Sequence, residues 1–414
     1  MCFLCSQRVP LRHTIDTKSF PSVALTIYRR NHPVSVRPMP VITHYRLPEV
    51  IEALRHHRYI KLILGASFKD TELIEKLCTA YALSGVQVFD LAADPSVLET
   101  VLESFKRLAL DHPGPTPIFP ALMVSLDVDG DPHFKTIELQ TEACIQCSAC
   151  IPVCPTQVFA LPDTPTPSHP LDMVHTRCYG CNQCIPVCPT EALSLHPITQ
   201  ASETLQTLLR HPAITMVELH TEHLNQEALL QLLTSLEDGL KDKLLSLCWR
   251  PVTEEASLAC KAQEQTFLAT FDTWVKTINT HKVWMAQVDG IAMGGAGYQL
   301  QQQGIQTSNT MPSQTSPHAY AWHVAYRMHA RYHTLSPSFN PPWTWLTLSG
   351  GISPESAVFY RHPVQQARLE VHGAGMGSMA KKMLQLVPSH TDSAVYTRQL
   401  QEKAISAIQP FLLP

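Results

Sequence analysis

The sequence predicts an α/β chain, a (β/α)8-type barrel interrupted after its third strand by a small cysteine-rich domain. Three observations carry this reading. Short apolar runs alternate with helical periodicities along the chain, the pattern of parallel strands joined by crossover helices. Eight of the 13 cysteines lie between Cys144 and Cys188. Glycine-rich turns follow the sixth, seventh and eighth apolar runs, where a barrel mouth would lie.

Residues 1–46 hold one acid, Asp16, against Arg8, Arg12, Lys18, Arg29, Arg30, Arg37 and Arg46. They lack the periodicity of a transit peptide and the apolar core of a secretory signal. The segment reads as a disordered N-terminal extension, or as sequence upstream of a start at Met39. Its Cys2-x-x-Cys5 pair has no second pair and is a weak metal signal.

The barrel strands are expected at 59–64, 87–92, 118–126, 215–219, 244–249, 283–288, 343–348 and 368–372. Helices are expected at 70–84, 95–110, 199–210, 225–236, 253–279, 354–361 and 378–385, with Gly239 suited to a stop past the fourth of these. The first part of the barrel then occupies 47–134, the insert 135–197 and the rest of the barrel 198–414. Asp90 and Asp94 end the second strand, and Asp127 and Asp129 end the third. Acids there serve more often as helix caps and turn residues than as catalysts. After the fourth strand come Glu218, His220, Glu222 and His223, which follow no metal motif such as H-E-x-x-H and read as a polar loop. Cys78, Cys248 and Cys260 sit in apolar surroundings and read as buried thiols. The stripe Trp322, Tyr326, His329 and His333 has helical spacing and reads as a packed barrel helix.

The insert is a duplication. Copy one is Cys144-x2-Cys147-x2-Cys150-x3-Cys154-Pro155; copy two, 34 residues later, is Cys178-x2-Cys181-x2-Cys184-x3-Cys188-Pro189. Zinc ribbons use two separated cysteine pairs, not a run of four. Three thiolates at three-residue intervals wrap one face of a cubane, and the fourth, before proline, reaches the other cluster. The spacing therefore predicts a two-[4Fe–4S] ferredoxin-like domain. Cluster I takes Cys144, Cys147, Cys150 and Cys188; cluster II takes Cys178, Cys181, Cys184 and Cys154. A [3Fe–4S] form of one site needs no change of sequence. Apolar stretches at 158–161 and 192–195 suit small strands, and the proline-rich loop 162–176 is a docking surface or a tolerated insertion.

The late glycines leave two readings open. Gly350 and Gly351 in Ser349-Gly350-Gly351-Ile352-Ser353, and Gly373, Gly375 and Gly377 in Gly373-Ala374-Gly375-Met376-Gly377-Ser378, precede helix starts. They offer a phosphate site for a flavin or another phosphate-bearing ligand, or simply permit tight turns. A third run, from Asp289 to Gly297, widens the mouth and places Asp289 for a polar role.

Composition excludes other classes. A net charge of −4 argues against a nucleic-acid binder held by phosphate neutralisation. The longest apolar candidate, 229–249, is broken by Glu237, Asp238, Lys241, Asp242 and Lys243, so no membrane span is expected. Clustered thiolates of this kind suit a reducing cytoplasm rather than a secreted disulfide scaffold.

Leu64-Gly65-Ala66-Ser67-Phe68, Asp90-Leu91-Ala92-Ala93-Asp94-Pro95, the insert after Asp131-Pro132-His133-Phe134, and the late Gly-Ala-Gly-Met-Gly-Ser with Ala380-Lys381-Lys382 extend the likeness beyond the cysteines. Over about residues 47–390 the chain resembles the light-dependent period protein family of photosynthetic bacteria. That resemblance implies an iron–sulfur protein reporting cellular redox state to the circadian clock. Its implied partners are clock or electron-transport proteins, with peripheral association at a membrane complex compatible. Two other functions compete: an iron–sulfur oxidoreductase passing electrons to a flavin or substrate at the barrel mouth, and an assembly or relay subunit of an electron-transfer complex.

Overall fold

The structure is a computed structural model. It describes residues 43–44, 47–112, 114–115, 117–198, 201–249, 266, 269–271, 273–274, 284–289, 345–349, 352, 371–385, 387 and 393–412. Eight parallel strands close a barrel in chain order: β1 (Tyr59–Ile63), β2 (Val88–Ala92), β3 (Ala121–Asp127), β4 (Ile214–Thr221), β5 (Leu244–Trp249), β6 (Trp284–Asp289), β7 (Trp345–Ser349) and β8 (Gly373–Met376). β8 returns to pair with β1, Gly373 opposite Tyr59. Closure leaves no strand edge, which removes the usual route to edge-to-edge aggregation.

Side chains alternate across each strand, and the two faces meet different neighbours. Ile60 and Leu62 of β1, Phe89 and Leu91 of β2, and Val217 and Leu219 of β4 face the outer helices in one large apolar cluster. Tyr59, Val88, Ala121, Met123, Met216, Leu244, Met285 and Trp345 form a second cluster with Val50, Ala53 and Leu54. Those last three lie on α1 (Leu47–Arg55), so α1 closes the N-terminal end of the barrel. No element is expected at 47–58 from the sequence.

Helix starts follow side-chain caps. Asp70 accepts from the Leu73 N–H at 2.8 Å and starts α2 (Thr71–Tyr81). Asp94 accepts from the Ser96 N–H at 2.9 Å and starts α3 (Pro95–Asp111), with Pro95 in the first turn. Further on come α4 (Ser202–Leu209), α5 (Gln226–Ser235), α6 (Ser378–Gln385) and α7 (Ser393–Leu412). The last was not expected from the sequence; its Ala404, Ala407, Ile408 and Phe411 are buried against the rest of the core.

Other expectations change. The last strand is Gly373–Met376 rather than 368–372, because a strand facing the crowded barrel centre is built from small residues. A Cβ on Gly373 would stand 2.2 Å from the Tyr59 carbonyl, and one on Gly375 2.9 Å from Ile63 Cδ1. Gly239 does not stop α5: it lies in the short helix Glu237–Leu240, where a Cβ would meet Leu209 at 2.8 Å. Helix 354–361, the stripe at 322–333, Cys260, Gly350, Gly351 and the glycines after Asp289 lie outside the described residues. Of 253–279, the described positions, Phe271 among them, are helical.

Between β3 and β4 the chain forms a separate small unit of core. Lys135–Leu139 pairs antiparallel with Leu193–Pro197, and Phe159–Ala160 with Asp172–Met173. Ile137, Val158, Phe159, Leu171 and Leu193 pack there with Cys150, Cys178 and Cys184. The unit is tied to the barrel. The Lys69 N–H donates to the Thr176 carbonyl at 2.8 Å, and Arg177 Nε donates to Asp70 Oδ2 at 2.6 Å. A Cβ on Gly180 (φ +70°) would overlap the carbonyls of Pro132 and Lys135, so glycine permits this approach.

Candidate functional site

The eight motif cysteines gather in two groups of four. Beyond burial, the charges that push the Cys150 thiol up to about 11 come from Cys147, Cys144 and Cys188. Burial, then Cys181, Cys178 and Cys154, push Cys184 higher still. A cleft, about 320 Å³ when the space open to solvent is counted, is lined by Cys154, Cys178, Cys181 and Cys184, with Ile137, Val158, Phe159 and Leu195 around them. None of the eight is in a disulfide.

The duplication extends to the backbone. Gln146, Ser148 and Gln157 adopt positive φ, and so do Gly180, Asn182 and Glu191 at the matching positions of the second copy. Left-handed residues coil each loop tightly, at some cost for a residue other than glycine. Such strain, repeated at corresponding positions, marks a loop shaped around something. The Val158 N–H donates to Cys154 Sγ at 3.2 Å, and the Ala192 N–H to Cys188 Sγ at 3.3 Å, again 34 residues apart. Ile137 N–H donates to Cys178 Sγ at 3.3 Å. Donors aimed at sulfur favour the thiolate. The thiol groupings, cavity and donors fit iron–sulfur clusters, which supply one-electron transfer when bound. Cys147 is exposed, whereas Cys150, Cys178 and Cys184 are buried.

The second group adjoins the barrel mouth. Tyr179, between Cys178 and Cys181, belongs to the barrel's outer core. The Lys381 ammonium lies 5.0 Å from the Tyr179 ring centre and 4.9 Å from that of Phe68.

The barrel centre holds a polar network not expected from the sequence. Lys61, Asp90, Ser125, Glu218, His220, Ser246, Gln287, Thr347 and Ser349 are all buried. Lys61 Nζ lies 2.5 Å from Glu218 Oε2 and 3.2 Å from Asp90 Oδ2. Ser125 Oγ donates to Asp90 Oδ1 at 2.7 Å, and Ser246 Oγ to Glu218 Oε1 at 2.8 Å. Gln287 Nε2 donates to Glu218 Oε2 at 3.2 Å. Burial would strip the proton from Lys61, but Asp90 and Glu218 outweigh it and hold the ammonium charged. Burial raises Glu218 in turn, yet Lys61 and His220 hold its carboxyl well below the usual range. Burial dominates at Asp90 and pushes it up.

Asp90 is not a cap: it sits inside β2 facing Lys61. Glu218 and His220 do not form a loop after β4: they lie within it, two residues apart on the inward face. Asp94 does cap α3, and Asp127 and Asp129 do shape turns. Asp127 Oδ1 accepts from the N–H groups of Asp129, Gly130 and Asp131. Asp129 ties the following loop to β4 through Thr221, Glu222 and Asn225. Cys78 and Cys248 are buried, but Cys248 faces the polar centre, where Gln287 Nε2 lies 3.3 Å from its sulfur. Of the glycines read as a phosphate site, Gly373 and Gly375 serve packing inside β8. Among the described glycines of that set, Gly377 stands directly before α6.

Known proteins bear on both parts. The 4Fe-4S dicluster domain family matches residues 143–192. Light dependent period A of Synechococcus elongatus is 29% identical in an alignment 276 residues long that covers 59% of this chain and 64% of that protein. Among solved structures, the carboxyl transferase domain of Rhizobium etli pyruvate carboxylase with pyruvate and biocytin is 10% identical. Its TM-score is 0.35 over 86% of this chain and 48% of that one. The same domain with 3-bromopyruvate is 11% identical, with TM-score 0.35 over 92% and 55%. Overlays this loose say nothing of chemistry. No described helix is long and apolar enough to cross a membrane. The cysteine motif and the wider resemblance agree: the chain is an iron–sulfur protein related to Light dependent period A.

Proposed function

We propose that the chain senses redox state through two [4Fe–4S] clusters and reports it, dependent on light and electron transport, to circadian clock machinery. The observation that carries the reading is the docking of the second cysteine group on the barrel. Cys178 and Cys181 flank Tyr179, and Arg177 and Thr176 bond to the first barrel loop. A change in charge at those thiolates is thus coupled to barrel loops that a partner can read. The relative at 29% identity supplies the clock direction.

Cys144, Cys147, Cys150 and Cys188 would hold cluster I, and Cys178, Cys181, Cys184 and Cys154 cluster II. Cluster I, beside the exposed Cys147, is the entry for electrons, because transfer partners approach from solvent. The backbone donors to Cys154, Cys178 and Cys188 lower the charge felt by each thiolate and so favour the reduced state. Reversible capture of a clock or electron-transport partner, oxidised against reduced, tests the proposal. It is expected to vanish in Cys147→Ser or Cys181→Ser; capture that ignores both redox state and these substitutions would sink it.

The polar barrel centre favours a second reading, an oxidoreductase passing electrons to a flavin or substrate at the mouth. Lys61, Asp90, Glu218 and His220 are charged or polar groups where a barrel enzyme keeps its reacting groups. A heat-released fluorescent yellow supernatant would support it. Protein with full iron and no bound flavin or nucleotide would count against it.

A further inference from the structure

Beyond the cysteines, the barrel mouth carries a second set of metal-ligating side chains. His220 rises from β4; Asp131 and His133 stand on the loop after β3, held there by the Asp127 turn. One donor atom from each lies within 4.8 Å of the others, and His220 and Asp131 are buried. Zinc–ligand bonds of about 2.0–2.2 Å set donors roughly 3.3 Å apart. To share an ion the three groups must draw together by up to about 1.5 Å, and His133 Nδ1 is already hydrogen-bonded to Asp131 Oδ1 at 2.5 Å. His133 Nε2 also lies 4.0 Å from Asp289 Oδ2, which brings a fourth ligand to the same place.

The independent observation is the state of His220. Its Nε2 faces Glu218 Oε2 at 3.3 Å and Ser125 Oγ at 3.3 Å. Its Nδ1 is buried with no hydrogen-bond partner among the described residues. The nearest carboxylate oxygen, Asp131 Oδ2, is 3.7 Å away. The Nδ1 edge of His220 thus faces the Asp131 carboxylate across a gap too long for a hydrogen bond, a place that either the ring's own proton or a metal ion can fill. This is the arrangement of metal-binding histidines, whose second nitrogen donates to a carboxylate. The neighbourhood agrees: Asp131, Glu218 and Asp289 line the mouth, while Lys61 is already engaged by Glu218 and Asp90.

We propose that Asp131, His133 and His220, with Asp289 beside them, bind a divalent transition-metal cation at the barrel mouth, separate from the iron–sulfur clusters. Two imidazoles with carboxylates are borderline ligands suited to zinc, iron(II) or cobalt(II), and not to calcium. The site faces the interior network of Lys61 and Glu218, so the ion would polarise a carbonyl or carboxylate group of a small molecule entering the mouth.

The test uses the full chain purified anaerobically with its iron, dialysed against limiting zinc. Metal analysis should find one zinc per chain with iron content unchanged, and X-ray absorption at the zinc edge should show nitrogen and oxygen neighbours only. Asp131→Asn should weaken zinc binding more than about tenfold while the cluster spectrum persists. His133→Ala, whose ring is partly exposed, should do the same and keeps the test decisive if the buried Asp131 variant fails to fold. A sulfur shell around zinc, no retained zinc, or equal retention by wild type and His133→Ala would overturn the proposal. Iron content separates this outcome from failure of the cluster reading.

Discussion

Lys61 Nζ lies 2.5 Å from Glu218 Oε2 at the centre of the barrel, with both side chains wholly buried. Removing one partner leaves a buried charge without its counterion. Lys61→Met should therefore cost about 3–5 kcal/mol, read as a lowered urea midpoint. Pairing Lys61→Met with Glu218→Gln should recover part of that loss. An unchanged midpoint in the single variant would show that the pair does not hold the barrel centre.

The glycines at either end of the Gly373–Gly377 run differ in what surrounds them. A Cβ on Gly373 would stand 2.2 Å from a backbone oxygen, whereas the nearest atom to one on Gly377 is 3.6 Å away. Gly373→Ala should lower stability by about 1–3 kcal/mol or prevent folding. Gly377→Ala should shift the melting temperature little. Equal effects would contradict the packing role given to Gly373.

Arg177 and Asp70 join the cysteine unit to the barrel at 2.6 Å, with the Asp70 side chain only 7% exposed. Arg177→Ala should lower the local opening energy of the unit by about 1–3 kcal/mol. Hydrogen exchange would report this as faster exchange across the insert, with the amides of β4 and β5 unchanged.

Asp94 gives a pH dependence. Burial raises its carboxyl, but hydrogen bonds from Lys69 and Ser96 outweigh this and hold it below the ordinary range. Its stabilisation is therefore fully present above the unfolded value of about 3.9 and is lost as pH falls through the lowered folded value. Asp94→Ala should cost about 0.5–2 kcal/mol at pH 7. The difference from wild type should shrink as the pH falls below about 4, followed by denaturant unfolding at each pH.

Most of the barrel and both cysteine copies are legible because each rests on a local regularity. β5 occupies Leu244–Trp249, the span expected, as an apolar run with a helix before it. The cysteine spacing is dictated by cluster geometry and needs no tertiary information. The barrel centre is less legible because its polar residues look like strand ends. In Ile214–Thr221 the alternation Met216, Glu218, His220 is already a single inward face. Lys61 in the middle of Tyr59–Ile63 is the other available signal, a charge inside an apolar strand. What joins them is closure of the barrel, which brings β1 beside β8 across more than 300 residues. β8 itself was displaced because Gly-Ala-Gly-Met carries the composition of a turn and takes its strand identity from its neighbours.

The most direct test of the central claim is anaerobic purification followed by iron and sulfide analysis, with EPR before and after reduction. About eight irons and eight sulfides per chain, with two coupled spins on reduction, are expected for the two cysteine groups. Iron should fall in Cys147→Ser and Cys181→Ser. Zinc in place of iron, or an iron content indifferent to both substitutions, would contradict the account.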